Sequence, residues 1–245
     1  MHVSIELVPR SEEYLVGQLQ SIQRELPGVN AINIPDLTRI NIRSWEGCGI
    51  AKPWFDLRIP HIRAADIRID EPLPMLPYLI EHGIGEILVV TGDPTENSGS
   101  AGFYKSSLPL ITRIKKEYPH MKVYGALDPY RQNFIDEIAY ARTKIDCGAD
   151  GFFTQPFFDL RLMGIYGELL GDVTVFWGVS PVLTERSHRY WVSRNRAIFP
   201  NHFDCSMAWN REFARHALDF ASQRNDHIYF MPIKVDAAEY LAGIV

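Results

Sequence analysis

Gly148-Ala149-Asp150-Gly151-Phe152-Phe153-Thr154-Gln155-Pro156-Phe157-Phe158-Asp159 reads as the end of a helix, a buried strand, and a loop carrying an amide and a carboxylate. Ahead of it, over 133–147, Phe134, Ile138, Ala141 and Ile145 recur at helical spacing. Gly148 stops that helix. The strand is short, apolar and flanked by turn residues, and polar groups appear where it ends. Parallel α/β proteins present their chemistry in this way, at the carboxyl ends of strands.

The same alternation extends in both directions. Strands are expected at about 3–8, 29–34, 57–63, 86–91, 122–126, 151–154, 173–178 and 227–231. Helices are expected at 11–26, 72–83, 105–118, 133–147, 160–170, 207–224 and 236–244. In the first helix, Ser11 is a suitable cap, and Leu15, Leu19, Ile22 and Leu26 share a face. The stretch 35–55 holds Pro35, Gly47, Gly49 and Pro53 without helical periodicity, so it reads as a long loop. Eight strands with mostly helical crossovers imply an α/β fold, a (β/α)8 TIM barrel. The outer helix ring is expected to be incomplete after the second strand. The length of 245 residues suits a single catalytic domain over 1–245.

Composition narrows the function classes. Net charge is −5 without a basic stripe, which argues against nucleic acid and a membrane surface as partners. No apolar run approaches the roughly 18 residues of a spanning helix. The first strand starts by about residue 3, leaving no room for a secretory signal. Cys48, Cys147 and Cys205 are odd in number and widely spaced, as in a reduced cytoplasmic protein. No Cys-x-x-Cys or His-x-x-x-His pair suggests a metal. A charge of −5 suits a monomer or an assembly equally.

Glu6, His61, Asp93 and Gln155 fall at or just past the ends of the first, third, fourth and sixth strands, which a barrel brings to one mouth. Glu6 is either a buried acid with a raised pKa or a carboxylate on a solvated or ion-paired face. His61 is a ligand contact or a satisfied barrel histidine. Asp93, in Thr91-Gly92-Asp93-Pro94, either caps a turn or meets a ligand. The Gln155 amide donates and accepts at once, which suits a heterocycle edge or loop backbone. Phe157 and Phe158 read as core or wall rather than a stacking platform.

Four segments in order resemble the methylenetetrahydrofolate reductase family. They are VSIELVPR (Val3–Arg10), VVTGDP (Val89–Pro94), DCGADGFFTQPFFD (Asp146–Asp159) and WGVSPVLT (Trp177–Thr184). HIYFMPIKVDAAEY (His227–Tyr240) loosely resembles that family's last strand. The resemblance implies that Glu6 is the acid that protonates N10 of a folate. It also implies that Asp93 and Gln155 orient the pterin, and that Asp93 tunes a flavin. His61, Thr91, Gly92, Tyr104, Ala126, Arg131, Lys144 and Thr154, with Asp93 and Gln155, fall on the cofactor side.

The implied activity interconverts 5,10-methylenetetrahydrofolate and 5-methyltetrahydrofolate. Hydride would pass through flavin N5, with NADH or NADPH as co-substrate. The cofactor side departs from the family's pattern. Thr91 stands where arginine is usual, and Tyr140 and Thr143 stand where asparagine and arginine face the dinucleotide. GALDPYRQN (Gly125–Asn133) replaces a longer loop, and Thr184-Glu185 replaces an expected aromatic residue. Lost guanidinium groups remove bidentate phosphate contacts. Arg131, Lys144 or backbone N–H groups then remain to hold a pyrophosphate. The cofactor is expected to be FAD, with FMN or no flavin as alternatives. A flavin-independent NADH-dependent reductase and a non-catalytic folate-binding subunit are the alternative functions.

Overall fold

Eight short strands pair in parallel, in chain order, and close on themselves. They are β1 (Val3–Glu6), β2 (Ala31–Ile34), β3 (Leu57–Arg63), β4 (Glu86–Val90), β5 (Lys122–Leu127), β6 (Gly151–Thr154), β7 (Thr174–Val179) and β8 (His227–Phe230). This computed structural model describes residues 1–92 and 106–245. The expected (β/α)8 TIM barrel is the observed fold, and β3 and β6 occupy the expected ranges.

Side chains alternate along a strand, so closure sends every second one inward. Inside lies an aromatic layer in which the rings of Phe153 and Phe176 stack at 4.1 Å. Tyr124 meets both rings edge-on, and Tyr229 lies 5.0 Å from Phe153. Residues of the other parity, among them Ile5, Ile32, Ile62, Val89 and Trp177, face outward into the larger core beneath the helices.

The helices are α1 (Glu12–Glu25), α2 (Ser44–Ile50), α3 (Leu76–Glu81), α4 (Leu108–Glu117), α5 (Phe134–Asp146), α6 (Leu160–Leu170), α7 (Glu185–Asn195), α8 (Met207–Gln223) and α9 (Ala237–Leu241). Ser11, Asn133 and Asp159 cap α1, α5 and α6 by accepting from the N–H groups of Tyr14, Asp136 and Arg161. No helix among the described residues is long and apolar enough to cross a membrane.

Two helices correct the sequence-based expectation. The ring is not open after β2, because the stretch 35–55 contains α2, which buries Trp45 and Cys48 against the barrel. Its glycines hide it. A Cβ at Gly47 would lie 3.0 Å from Ile34 Cδ1, and one at Gly49 would overlap the Tyr78 hydroxyl. Close seating on the barrel wall therefore requires residues that carry no periodic apolar signal. The second missed helix, α7, buries only Trp191 and is otherwise polar, so it too lacks an apolar stripe.

Close packing of adjacent strands recurs at Gly151, where a methyl group would overlap the carbonyl oxygen of Thr174 in β7. Gly151→Ala is expected to destabilise the fold by about 1–3 kcal/mol, because a backbone atom cannot move aside as a side-chain tip can. The shift in urea midpoint at unchanged slope measures it.

Candidate functional site

The polar centre of the barrel mouth is built by register. Glu6 at the end of β1 pairs with Asn33 in β2, and both point inward. Asn33 is fully buried and its amide joins three strands. Its Nδ2 donates to Glu6 Oε2 at 3.3 Å and lies 3.1 Å from His61 Nε2 in β3. Its Oδ1 accepts from Ser4 Oγ at 2.8 Å. Since Nδ2 only donates, His61 Nε2 is the acceptor and the proton of the neutral ring sits on Nδ1.

Burial sets the protonation states here. It pushes the Glu6 carboxyl up to about 7, against a smaller lowering by the Asn33 hydrogen bond. It pushes His61 down to about 3, so the imidazole is neutral at physiological pH. The Tyr229 hydroxyl, raised by burial and then by the Glu6 charge, stays protonated and donates to the Thr154 carbonyl.

Glu6 lines a cavity of about 1030 Å³ between the first two strand–helix loops and the segment after β8. Arg10, Gln18, Arg39 and Lys234 share that lining. Gln18 Oε1 is buried without a hydrogen-bond partner among the described residues, an acceptor suited to a ligand N–H.

Gln155 lies elsewhere. Its side chain is exposed and, with Asp128, Arg131, Arg194 and Arg196, lines a separate cavity of about 510 Å³. The structure therefore joins Glu6 to His61 through Asn33 and puts Gln155 and Arg131 on one cavity, but Glu6 lines a different one. Thr154 is structural: its Oγ1 accepts from Gly178 N and its carbonyl from Tyr229. Phe157 and Phe158 are fully buried, as wall residues should be. Asp93 and Tyr104 lie outside the described residues.

The other cofactor-side residues have local roles. Thr91 accepts from Ala65 N through its carbonyl. Gly92 has φ 84°, a conformation that favours glycine, and a Cβ there would lie 3.1 Å from the Arg63 guanidinium carbon. Ala126 packs inside the barrel and its carbonyl accepts from Lys144 Nζ. Lys144 is not a solvated helix-face charge. It is 3 % exposed, lies 4.3 Å from the Tyr140 ring centroid, and is pushed down to about 8 by burial.

Arg131 pairs with buried Glu137 at 2.7 Å and lies 4.5 Å from the same ring. Thr143 bonds back to the Ala139 carbonyl of its own helix. Tyr140 thus receives two cations at a position where the resemblance expects a dinucleotide contact.

Sequence reasoning missed Asn33, Tyr229, Arg194 and Arg196. For Asn33 a signal existed: it is the polar residue inside the apolar run Ala31-Ile32-Asn33-Ile34, opposite Glu6 in register. The arginines lie at the end of α7, a helix the periodicity did not reveal.

The family described as Methylenetetrahydrofolate reductase matches residues 58–205, more than half of the chain. That range includes His61 and Gln155 but not Glu6. No curated protein matches the chain. A solved structure titled "Uncharacterized protein from Clostridium thermocellum binds two copies of 5-methyl-5,6,7,8-tetrahydrofolic acid" is similar, with TM-score 0.64 and 16 % identity over 99 % of this chain and 92 % of that one. Phosphonopyruvate hydrolase, in complex with oxalate and Mg++, has TM-score 0.59 at 11 % identity over 99 % and 78 %. Oxaloacetate acetylhydrolase has TM-score 0.58 at 8 % identity over 95 % and 75 %. At these identities the solved structures establish the shared barrel.

The raised Glu6 pKa makes a stability prediction. Its folded value lies above its unfolded value, so its favourable contribution is complete below the unfolded pKa and is lost as pH rises through about 7. Wild type should lose on the order of 2 kcal/mol relative to Glu6→Gln between pH 5 and pH 8. Denaturant titration of both proteins at the two pH values measures the difference.

Proposed function

The chain belongs to the methylenetetrahydrofolate reductase family, and on that premise we propose that it interconverts 5,10-methylenetetrahydrofolate and 5-methyltetrahydrofolate. NADH or NADPH is the external hydride partner in this reading, and FAD is the carrier. The observation that carries it is the Glu6 carboxyl, held near neutrality on the wall of a cavity large enough for a pterin.

An acid with a pKa near the working pH is half-charged and can give and regain a proton. Glu6 protonates N10 of the bound methylene folate. The C–N10 bond breaks, its electron pair takes that proton, and the 5-iminium accepts hydride to become the methyl group. Asn33 stabilises the carboxylate left behind by its Nδ2 hydrogen bond. Neutral His61 fixes the Asn33 amide and adds no competing charge. Following the resemblance, Asp93 is assigned to the pterin edge and to tuning the flavin, whereas Gln155 lies on the smaller cavity, apart from Glu6.

A bound flavin would supply the hydride at its N5. The residues fit it in part. The orphaned Gln18 acceptor and the arginine-lined cavity are suitable for an anionic heterocyclic ligand. On α5 and the loop before it, however, Lys144 and Arg131 are already held by the Ala126 carbonyl, Glu137 and Tyr140.

That engagement favours a second reading. In it the barrel works without flavin, either as a reductase taking hydride directly from NADH or as a folate-binding subunit. Two separate cavities would suit two folates, the number that the Clostridium thermocellum protein binds.

The visible spectrum of the purified protein, followed by anaerobic addition of 5-methyltetrahydrofolate, decides between them. A flavin band that bleaches supports the first reading, whereas a band that persists argues against folate as the reductant. A colourless protein that turns over methylene folate with NADH, even after incubation with FAD or FMN, supports the flavin-independent enzyme. Glu6→Gln should keep the fold and methyl folate binding while losing at least about a hundredfold in turnover. Asn33→Ala should move the alkaline limb of the pH–rate profile upward, because it removes the interaction that lowers the Glu6 pKa.

A further inference from the structure

The smaller cavity joins three loops that the barrel holds rigidly. After β5, Tyr130 N donates to Asp128 Oδ1 at 2.9 Å, and Tyr130 Oη donates across to the Pro156 carbonyl at 2.9 Å. Tyr166 Oη donates to the Pro129 carbonyl at 3.2 Å, tying α6 to the same loop. The wall carrying Asp128, Arg131 and Gln155 is therefore fixed before any ligand arrives.

The opposite wall is the end of α7. Arg196 closes that helix in the left-handed conformation, with φ 57° and ψ 26°. Glycine takes this position without strain, so an arginine there puts a guanidinium at the cavity at a conformational cost. Arg194 stands beside it. Glu137 offsets Arg131, and Asp128 contributes a single carboxylate to the lining. Neither the Arg194 nor the Arg196 guanidinium has an ion-pair or hydrogen-bond partner among the described residues. A helix C-terminus favours nearby cations, which explains one basic residue there. It does not explain two guanidinium groups facing a concavity that also holds Arg131 and the Gln155 amide.

We propose that Arg194 and Arg196, on the cavity that Arg131 and Gln155 also line, form a subsite for the anionic tail of a ligand whose ring system occupies the barrel mouth. Its chemistry is that of paired carboxylate or phosphate oxygens, which guanidinium groups bind in bidentate fashion. The tail is either the glutamates of a folate or the diphosphate of a dinucleotide. The subsite deepens the folate-reductase reading and rests on it for the choice of ring.

The test uses the full chain and the double variant Arg194→Ala/Arg196→Gly, whose glycine suits the left-handed backbone. Calorimetric titration is run with pyrophosphate, with mono- and triglutamate forms of 5-methyltetrahydrofolate, and with FAD. Pyrophosphate should bind wild type, weaken with added salt, and bind the double variant about tenfold less well. Arg194→Lys/Arg196→Lys, which keeps the charge, should show only part of that loss.

If the triglutamate form binds wild type more tightly than the monoglutamate and the double variant erases the gap, the tail is glutamate. If FAD binding falls while both folates are unaffected, the tail is a diphosphate. Equal affinity of wild type and the double variant for every probe overturns the subsite. Pyrophosphate binding lost in the variant, with no folate bound by wild type, keeps the anion site and overturns the folate reading instead.

Discussion

Because side chains alternate along each strand, closing eight strands into a barrel commits every second residue of β1 to β8 to an interior that solvent reaches only from the ends. Most of those positions are filled by rings and branched aliphatics, from Ile59 and Leu88 to Phe153, Phe176 and Tyr229. Ser4, Glu6, Asn33 and His61 form a polar group among them, together on β1, β2 and β3. A polar group enclosed this way must find its partners inside the barrel. Asn33 meets that condition for Glu6 and His61 with one amide. The site follows from the pleat: a shift of one residue in β2 would turn Asn33 out into the helix layer.

Much of this was legible in the sequence because it depends on local periodicity. The strand 151–154 and the helix 160–170 are where the pattern puts them, since apolar runs bounded by glycine and a capping carboxylate have few other readings. The helix α2 was not legible, because the glycines that let it lie close on β2 and against Tyr78 are residues that suggest a loop. Nor was α7, whose single buried Trp191 leaves no stripe to read. Glu6, His61 and Gln155 were visible as polar groups at strand ends. The separation of Glu6 and Gln155 onto two cavities was not, because it depends on the loops after β5, β7 and β8. Asn33 required knowing which strand pairs with β1 and in what register.

The cofactor face shows how substitutions redirect neighbouring groups. With tyrosine at 140, the cations of Arg131 and Lys144 converge on a ring within their own loop–helix unit. Lys144 also loses hydration on burial and donates to the Ala126 carbonyl, which holds the end of β5 rigid. Basic side chains that would be mobile phosphate ligands on an open helix face act here as internal braces. Arg63 is likewise braced, by Asp66 at 2.9 Å, with its guanidinium pressed against Gly92.

The aromatic layer across the barrel also governs proton traffic. Phe153, Phe176, Tyr124 and Tyr229 form a ring-packed floor between the mouth and the opposite end, where His2 and His227 gather around Phe176. Glu6 lies on the mouth side of that layer and lines the cavity there, which is its route to bulk water. A ligand that fills that cavity closes the route it came in by. The pH of the medium acts on the chemistry by selecting which form of the empty barrel captures its ligand.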